Sequence, residues 1–324
     1  MEKARGESNL SRAVRRLPYK AARLSEHLRR RGAGVTLTTK PWTAQQCDAA
    51  VARGAHKSAY MDRAFDFDEM RDFCEQGYWI VLPYAAVRNW ENLRVSPIGA
   101  VPQRDRRPRL IVDYSFSDLN AETLKLAPAE AMQFGRALQR VLKHILDADP
   151  RFGPVYLAKI DIADGFYRVW VQFRDVPKLG VVQPTSHGEP PLLAFPLTLP
   201  MRWVELPPYF TVLTETACNV ANARLRRRAA ATTQHRLETV AATPPPENNA
   251  VDAALHSERI RSFGRLRSHK RCSEGRPPTA YVDVYVDDLL LLAQTAPQQA
   301  RVMRTTLEAI DEIFRPLAAH DPAH

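Results

Sequence analysis

The spacing of apolar positions changes period several times along this chain, and the changes predict a mixed succession of helices and strands. Thr43 to Ala55 and Met61 to Glu75 repeat apolar residues at helical spacing, the second through Phe65, Phe67, Met70 and Phe73. Ala129 to Leu146 does the same through Met132, Leu138, Val141, Leu142 and Ile145, a stripe expected to pack on a sheet. Pro208 to Leu225 carries Phe210, Leu213, Ala217 and Val220 on one face, and Pro297 to Phe314 is amphipathic. Strands are expected where β-branched and aromatic residues cluster: the apolar run just after Arg109, Val155 to Ile162, Arg168 to Phe173, and the two arms of Tyr281 to Leu292. Before them, Leu93 to Pro102 contains prolines that break any helix. The expected fold class is α+β.

Two of these strands carry acids. In Tyr281-Val282-Asp283-Val284-Tyr285-Val286-Asp287-Asp288-Leu289-Leu290-Leu291-Leu292 the pattern fits a tight hairpin with Asp287 and Asp288 at its tip. Strands of this kind usually break at Gly, Asn or Pro, so an Asp-Asp break invites a reason beyond turn chemistry. Divalent metal binding is one: carboxylates at a rigid tip, met by a third from a neighbouring strand, can hold two ions ~4 Å apart for in-line phosphoryl transfer. A plain Asp-Asp turn is the other. Asp161 supplies a third carboxylate, in a strand read as buried, where an unpaired acid needs a metal, a cation or a strong hydrogen-bond partner.

Here the residues resemble a known family. Ile160-Asp161-Ile162-Ala163-Asp164-Gly165-Phe166 and Tyr285-Val286-Asp287-Asp288 are similar to the first and third palm motifs of reverse transcriptases, in that order. Pro108-Arg109-Leu110-Ile111-Val112-Asp113-Tyr114, closing on Leu119-Asn120, resembles their fingers strand. Pro200-Met201-Arg202-Trp203-Val204-Glu205-Leu206-Pro207-Pro208-Tyr209-Phe210 resembles the segment that opens the palm helix. Together the four motifs cover roughly residues 90 to 295, which is more specific than any one of them. The wording looks most like long-terminal-repeat or tyrosine-recombinase retroelements.

The resemblance implies a right-hand polymerase, fingers and palm with an antiparallel palm sheet and the thumb missing. It implies template-directed DNA synthesis by two-metal nucleotidyl transfer, with Mg²⁺ as cofactor and Mn²⁺ as an alternative, an RNA or DNA template–primer and deoxynucleoside triphosphates as partners. Asp161, Asp287 and Asp288 become the catalytic carboxylates and, with Ile162, the metal site. Asp288 is either an auxiliary ligand or a turn residue. Arg109, Asp164, Gly165 and Phe166 become the nucleotide site, Arg109 as a planar guanidinium suited to phosphate oxygens and Phe166 as the aromatic beneath the sugar that excludes a 2′-hydroxyl. Phe166 as plain core is the competing reading. Arg104, Arg106, Arg107, Pro207 and Tyr285 become template or primer contacts, the arginines alternatively forming a solvated basic loop. Asp113 and Asn120 are expected to fix local structure, and Met201, Trp203 and Tyr209 to pack.

The chain departs from the family pattern in three places. Arg202 stands where reverse transcriptases usually keep glycine, and Leu206 where they keep a small residue; a long charged side chain there threatens the pocket. The segment 224–279 is long, polar and Arg/Pro-rich, and is expected to be a disordered or loosely helical insertion that binds nucleic acid or is aberrant. After Leu292 one amphipathic segment remains before His324, so a weak grip on duplex is expected. An inactive chain is therefore one expectation, a noncatalytic nucleic-acid-binding relic the first alternative, and another palm-type nucleotidyl enzyme the second.

Composition adds a little. A formal net charge of +10 fits a polyanionic partner without specifying one. The four cysteines, Cys47, Cys74, Cys218 and Cys272, lie far apart, against a zinc knuckle or a disulfide framework. With no long apolar run, a membrane span and a secretory signal are not expected; the expectation is a soluble intracellular protein, cytoplasmic or nuclear. The expected organisation is a flexible basic arm over 1–40, fingers over 41–150, palm over 151–223, the insertion over 224–279, and the carboxylate hairpin with its following helix over 280–324. Oligomeric state is left undetermined.

Overall fold

A computed structural model describes residues 14, 16–104, 106–127, 131–186, 188–227, 234–235, 237–238 and 277–314. The helices are α1 (Ala22–Arg31), α2 (Ala44–Arg53), α3 (Lys57–Met61), α4 (Arg63–Glu75), α5 (Tyr84–Val87), α6 (Leu119–Glu122), α7 (Ala137–Asp147), α8 (Leu206–Arg226) and α9 (Ala296–Ile313). The strands are β1 (Trp79–Pro83), β2 (Val95–Gln103), β3 (Arg106–Val112), β4 (Tyr156–Asp161), β5 (Gly180–Val182), β6 (Leu192–Pro196), β7 (Ala280–Tyr285) and β8 (Asp288–Ala293). Contacts divide the chain into two interleaved units: Glu26–Ala129 with Asp164–Phe210, and Ser8–Ser25 with Glu130–Ala163 and Thr211–His324. The expected α+β class is what the chain adopts, and among the described residues no helix is long and apolar enough to cross a membrane.

The first unit is built on a mixed sheet of order β1-β6-β5-β2-β3, in which β2 runs parallel to β5 and every other pairing is antiparallel. Its core contains Trp79, Val95, Ile98, Tyr114, Leu179, Val181, Leu193 and Phe195. Helix α2 starts where the sequence signals it: Thr43 accepts the Gln46 N–H, and the Gln46 side chain reaches back to the Thr43 N–H, a reciprocal capping box. The expected strand over Arg168 to Phe173 does not form. That stretch makes only isolated bridges, Ala33 with Val171 and Trp170 with Thr198, between two 3₁₀ segments. These bridges explain a second difference. The N-terminal segment is not a free arm from Ala33 onward, because Ala33 N–H donates to Trp170 O at 2.7 Å and Val35 N–H to the buried Asp175 carboxylate at 3.0 Å. Residues 1–13 and 15 of that arm, and most of segment 224–279, lie outside the described residues.

The second unit holds an antiparallel sheet of order β4-β8-β7. Period-2 alternation sends Val282, Val284, Leu289, Leu291 and Ala293 to one face, where they meet Cys218, Val220, Ala221 and Leu225 of α8 and Val302 and Ala309 of α9. The Asn222 side chain pairs with Val282 through both backbone groups, at 2.7 and 3.0 Å, tying α8 to β7. Helix α7 packs on the sheet through only part of the predicted stripe: Val141 is buried beside Ala137 and Ile145 is partly buried, whereas Leu138 and Leu142 are exposed. The same helix brings Arg140 to the buried Asp283 of β7, where an uncompensated carboxylate would cost several kcal/mol.

Candidate carboxylate site

The hairpin between β7 and β8 closes in two residues, Val286 and Asp287, with Tyr285 and Asp288 as register partners. The expectation that Asp287 and Asp288 share the tip is thus half corrected: Asp288 opens β8 instead. A two-residue hairpin turn needs left-handed backbone, and Val286 supplies it at φ +60°, a strained conformation for a β-branched side chain.

Because β8 is the central strand, Asp288 also faces Asp161 across the β4 pairing. Directly opposed residues of antiparallel strands project from the same face, so Asp161, Asp288 and Tyr285 share one side of the sheet with Lys159, two residues before Asp161. Lys159 Nζ lies 2.7 Å from Asp288 Oδ1. This bond is the main cause that raises the Lys159 pKa, and the charges of Asp288, Asp161 and Asp287 add to it. Asp287 is raised from its ordinary value by burial first, then by the charges of Asp288 and Asp161, while its own backbone N–H and Lys159 oppose the rise.

Strand β4 is not the buried strand that its composition suggested. It is the edge of the sheet and largely exposed, Asp161 included. The argument that burial forces a partner on Asp161 therefore fails, and its neighbours rather than its depth make it of interest. Ile162 follows β4, partly buried against the core. Tyr285 is exposed.

The remaining predicted residues belong to the first unit. Asp164 is exposed with φ +53°, Gly165 is buried, and Phe166 sets its ring at an edge to Phe210, centroids 4.7 Å apart. Arg109 is exposed on β3 opposite Val101. Arg107 pairs with Glu69 at 2.9 Å and lies over the Phe65 ring; Arg104 is exposed; of Arg106 only the backbone pairing with Gln103 is described. Pro207 sits partly buried in the first turn of α8. Trp203 and Tyr209 are buried, as expected of packing residues. Asn120 takes the structural role expected of it: its side chain donates to Arg202 O at 3.0 Å and accepts the Val204 N–H at 2.9 Å.

Arg202 itself has φ +71°. The backbone there takes the form that favours glycine, although the side chain is arginine. Left-handed backbone costs a Cβ-bearing residue about 1–2 kcal/mol, and glycine gives back roughly 0.5–1 of that as chain entropy. Arg202→Gly is therefore expected to stabilise the protein by up to about 1 kcal/mol, read as a higher urea midpoint. A lower midpoint sinks the strain argument.

The sequence reading missed Lys159 and a triad in which two buried acids, Glu215 and Asp283, meet the partly exposed Arg140. The signal for the triad was present: Asp283 alternates with valines and tyrosines in a β-run, the pattern that drew attention to Asp161.

The donor set suits a hard cation in charge and in oxygen chemistry. Among the described residues, however, no group of three or more His, Cys, Asp or Glu is arranged so that it could hold a metal ion, and Lys159 stands at Asp288 as the local cation.

No protein-family model matches the chain, and no curated protein matches it. Solved structures do, among them a foamy viral protease-reverse transcriptase in complex with double-stranded DNA, at 14% sequence identity and a TM-score of 0.40. The match covers 75% of this chain and 28% of that one, so the chain spans little more than a quarter of its length.

Proposed function

We propose that the second unit carries the carboxylates of a reverse-transcriptase-like palm, and that the reaction is template-directed DNA synthesis by metal-assisted nucleotidyl transfer. The observation that supports this most is register: acids 126 and 127 residues apart in sequence, Asp161 with Asp287 and Asp288, come from three adjacent backbone stretches at one end of one sheet.

In this reading Asp161 and Asp287 would hold Mg²⁺, with Mn²⁺ as an alternative, and Ile162 would contribute its carbonyl. Held there, the ion would supply Lewis acidity toward the primer 3′-hydroxyl and positive charge toward the triphosphate. Asp288 supports the site electrostatically through Lys159, whose ammonium must move for Asp288 to become a ligand. Arg109 and the turn at Asp164 and Gly165 meet triphosphate oxygens, Phe166 excludes a 2′-hydroxyl, and Arg104, Arg106, Arg107, Pro207 and Tyr285 meet the template–primer.

The test is single-nucleotide extension of a labelled primer on an RNA template with Mg²⁺, offering deoxy- and ribonucleotides separately. Asp287→Asn is expected to lower incorporation roughly a thousandfold, several kcal/mol of barrier. Equal incorporation by wild type and variant overturns the proposal. One observation favours the noncatalytic relic as a second reading: Lys159 already neutralises Asp288. Salt-dependent duplex binding that survives Asp161→Asn and Asp287→Asn, without incorporation, selects it.

A further inference from the structure

Asp283 lies on β7 two residues before Tyr285, on the arm that runs into the turn bearing Asp287, and its side chain is 1% exposed. Its oxygens receive Arg140 Nε at 3.1 and 2.9 Å, Arg140 Nη2 at 2.5 Å, the Tyr281 hydroxyl at 2.8 Å and the Val284 N–H at 2.8 Å. The same Nη2 donates to Glu215 Oε1 at 3.0 Å, and Glu215 is 4% exposed. Two buried carboxylates from α8 and β7 thus share one guanidinium from α7.

Among the described residues, the other titratable groups around the cluster bring no second cation. Cys218 of α8 is buried, and burial raises its thiol pKa; Tyr281 of β7 is raised likewise and keeps its proton. His144 of α7 stacks on Tyr281, centroids 3.5 Å apart, and burial holds it below its ordinary range.

We propose that Glu215 is a proton-operated latch on the hairpin that carries Asp287. Protonated, Glu215 leaves Arg140 to Asp283, and β7 is held in register. Ionised, it competes for the guanidinium and leaves the buried cluster with one negative charge in excess, which loosens the strand. Only the consequence for catalysis rests on the polymerase reading; the latch itself rests on these contacts.

Burial pushes Glu215 up to about 7, with the Asp283 charge adding and Arg140 opposing. The folded-state value lies above the ordinary 4.5, so folding favours the proton. The latch is fully closed below the ordinary value, and its grip weakens as pH rises from there to about 7.

The experiment is amide exchange of the full chain between pH 5 and 8, with each rate corrected for base catalysis. In wild type the opening constant at Val282 and Val284 is expected to rise on the order of a hundredfold across that range. In Glu215→Gln it stays near the wild-type value at pH 5. A flat wild-type profile, or the same rise in the variant, overturns the proposal. Should Glu215→Gln not fold, the ¹³C carboxyl titration of Glu215 in wild type decides: a midpoint near 7, with the Asp283 resonance moving in step, supports the latch, and one near 4.5 overturns it. No primer or nucleotide enters these measurements, so absent incorporation with intact pH-dependent exchange counts against the polymerase reading alone.

Discussion

Asp66→Asn is expected to raise the thermal midpoint at pH 8 and to lose most of that advantage near pH 4.5. Asp66 lies in the first turn of α4 and is fully buried, and among the described residues neither carboxylate oxygen has a hydrogen-bond partner. Burial alone pushes its pKa up to about 7 from 3.8. A folded-state value above the unfolded one means that stability is greatest below the unfolded value and falls as pH rises through 3.8 to about 7. The total loss is on the order of 4 kcal/mol, reduced somewhat by the favourable field at a helix N-terminus. Asparagine keeps the shape and removes the proton requirement, yet leaves an unpaired amide that costs about 1–3 kcal/mol. A net gain of about 1–3 kcal/mol at pH 8 remains, read by thermal melts at the two pH values. Equal shifts at both would mean that Asp66 is not the titrating group.

Arg140→Met acts in the opposite direction and is expected to destabilise the second unit by about 3–5 kcal/mol. The substitution keeps much of the apolar stem but strands Asp283 and Glu215 together, each buried and now without a cation. The size of the effect belongs to what is left behind rather than to the ion pair itself. Combining Arg140→Met with Glu215→Gln and Asp283→Asn should therefore recover much of the loss, because no charge then remains in the interior. Urea midpoints of the single and triple variants measure both statements. A single-variant loss under about 1 kcal/mol would show that the two acids reach solvent when the guanidinium is gone.

The sequence shows most where local chemistry is strong and least where a partner decides. Helix α9 was legible as the amphipathic run from Pro297 to Phe314, and it begins just after Thr295, whose hydroxyl accepts the Gln298 N–H. The arms of the carboxylate hairpin were legible from their β-branched and aromatic content. Its tip was not, because pairing Tyr285 with Asp288 is a matter of register, and the two acids look like the natural break. Apolar composition announced β4 as a strand but cannot tell an edge from a centre; only its place beside β8 exposes it. The packing of α7 was invisible for a related reason. Leu138 and Leu142 belong to the predicted core-facing stripe with Val141, but only Val141 is buried, and Arg140 on the same helix meets Asp283, 141 residues beyond Leu142.

At Arg202 sequence and structure disagree instructively. The resemblance led one to expect glycine, and the backbone adopts the left-handed form that glycine permits. Asp164 and Val286 also have positive φ, so each of three segments that carry the resemblance contains one non-glycine residue in that region. Strain of this kind tends to persist where surrounding contacts over-determine a conformation.

The exposed β4 has a consequence for how the protein behaves in solution. Its outer row of backbone amides and carbonyls pairs with no strand among the described residues, and Tyr156 and Leu157 stand beside it with about half or more of their surface open. Such an edge is adhesive toward other extended chains unless charge interrupts it. Here the interruption comes from Lys159 and Asp161, which belong to the carboxylate site, so the residues offered for chemistry also guard against self-association. Neutralising these residues removes that guard, so the substitutions that test the proposed chemistry are also expected to raise self-association.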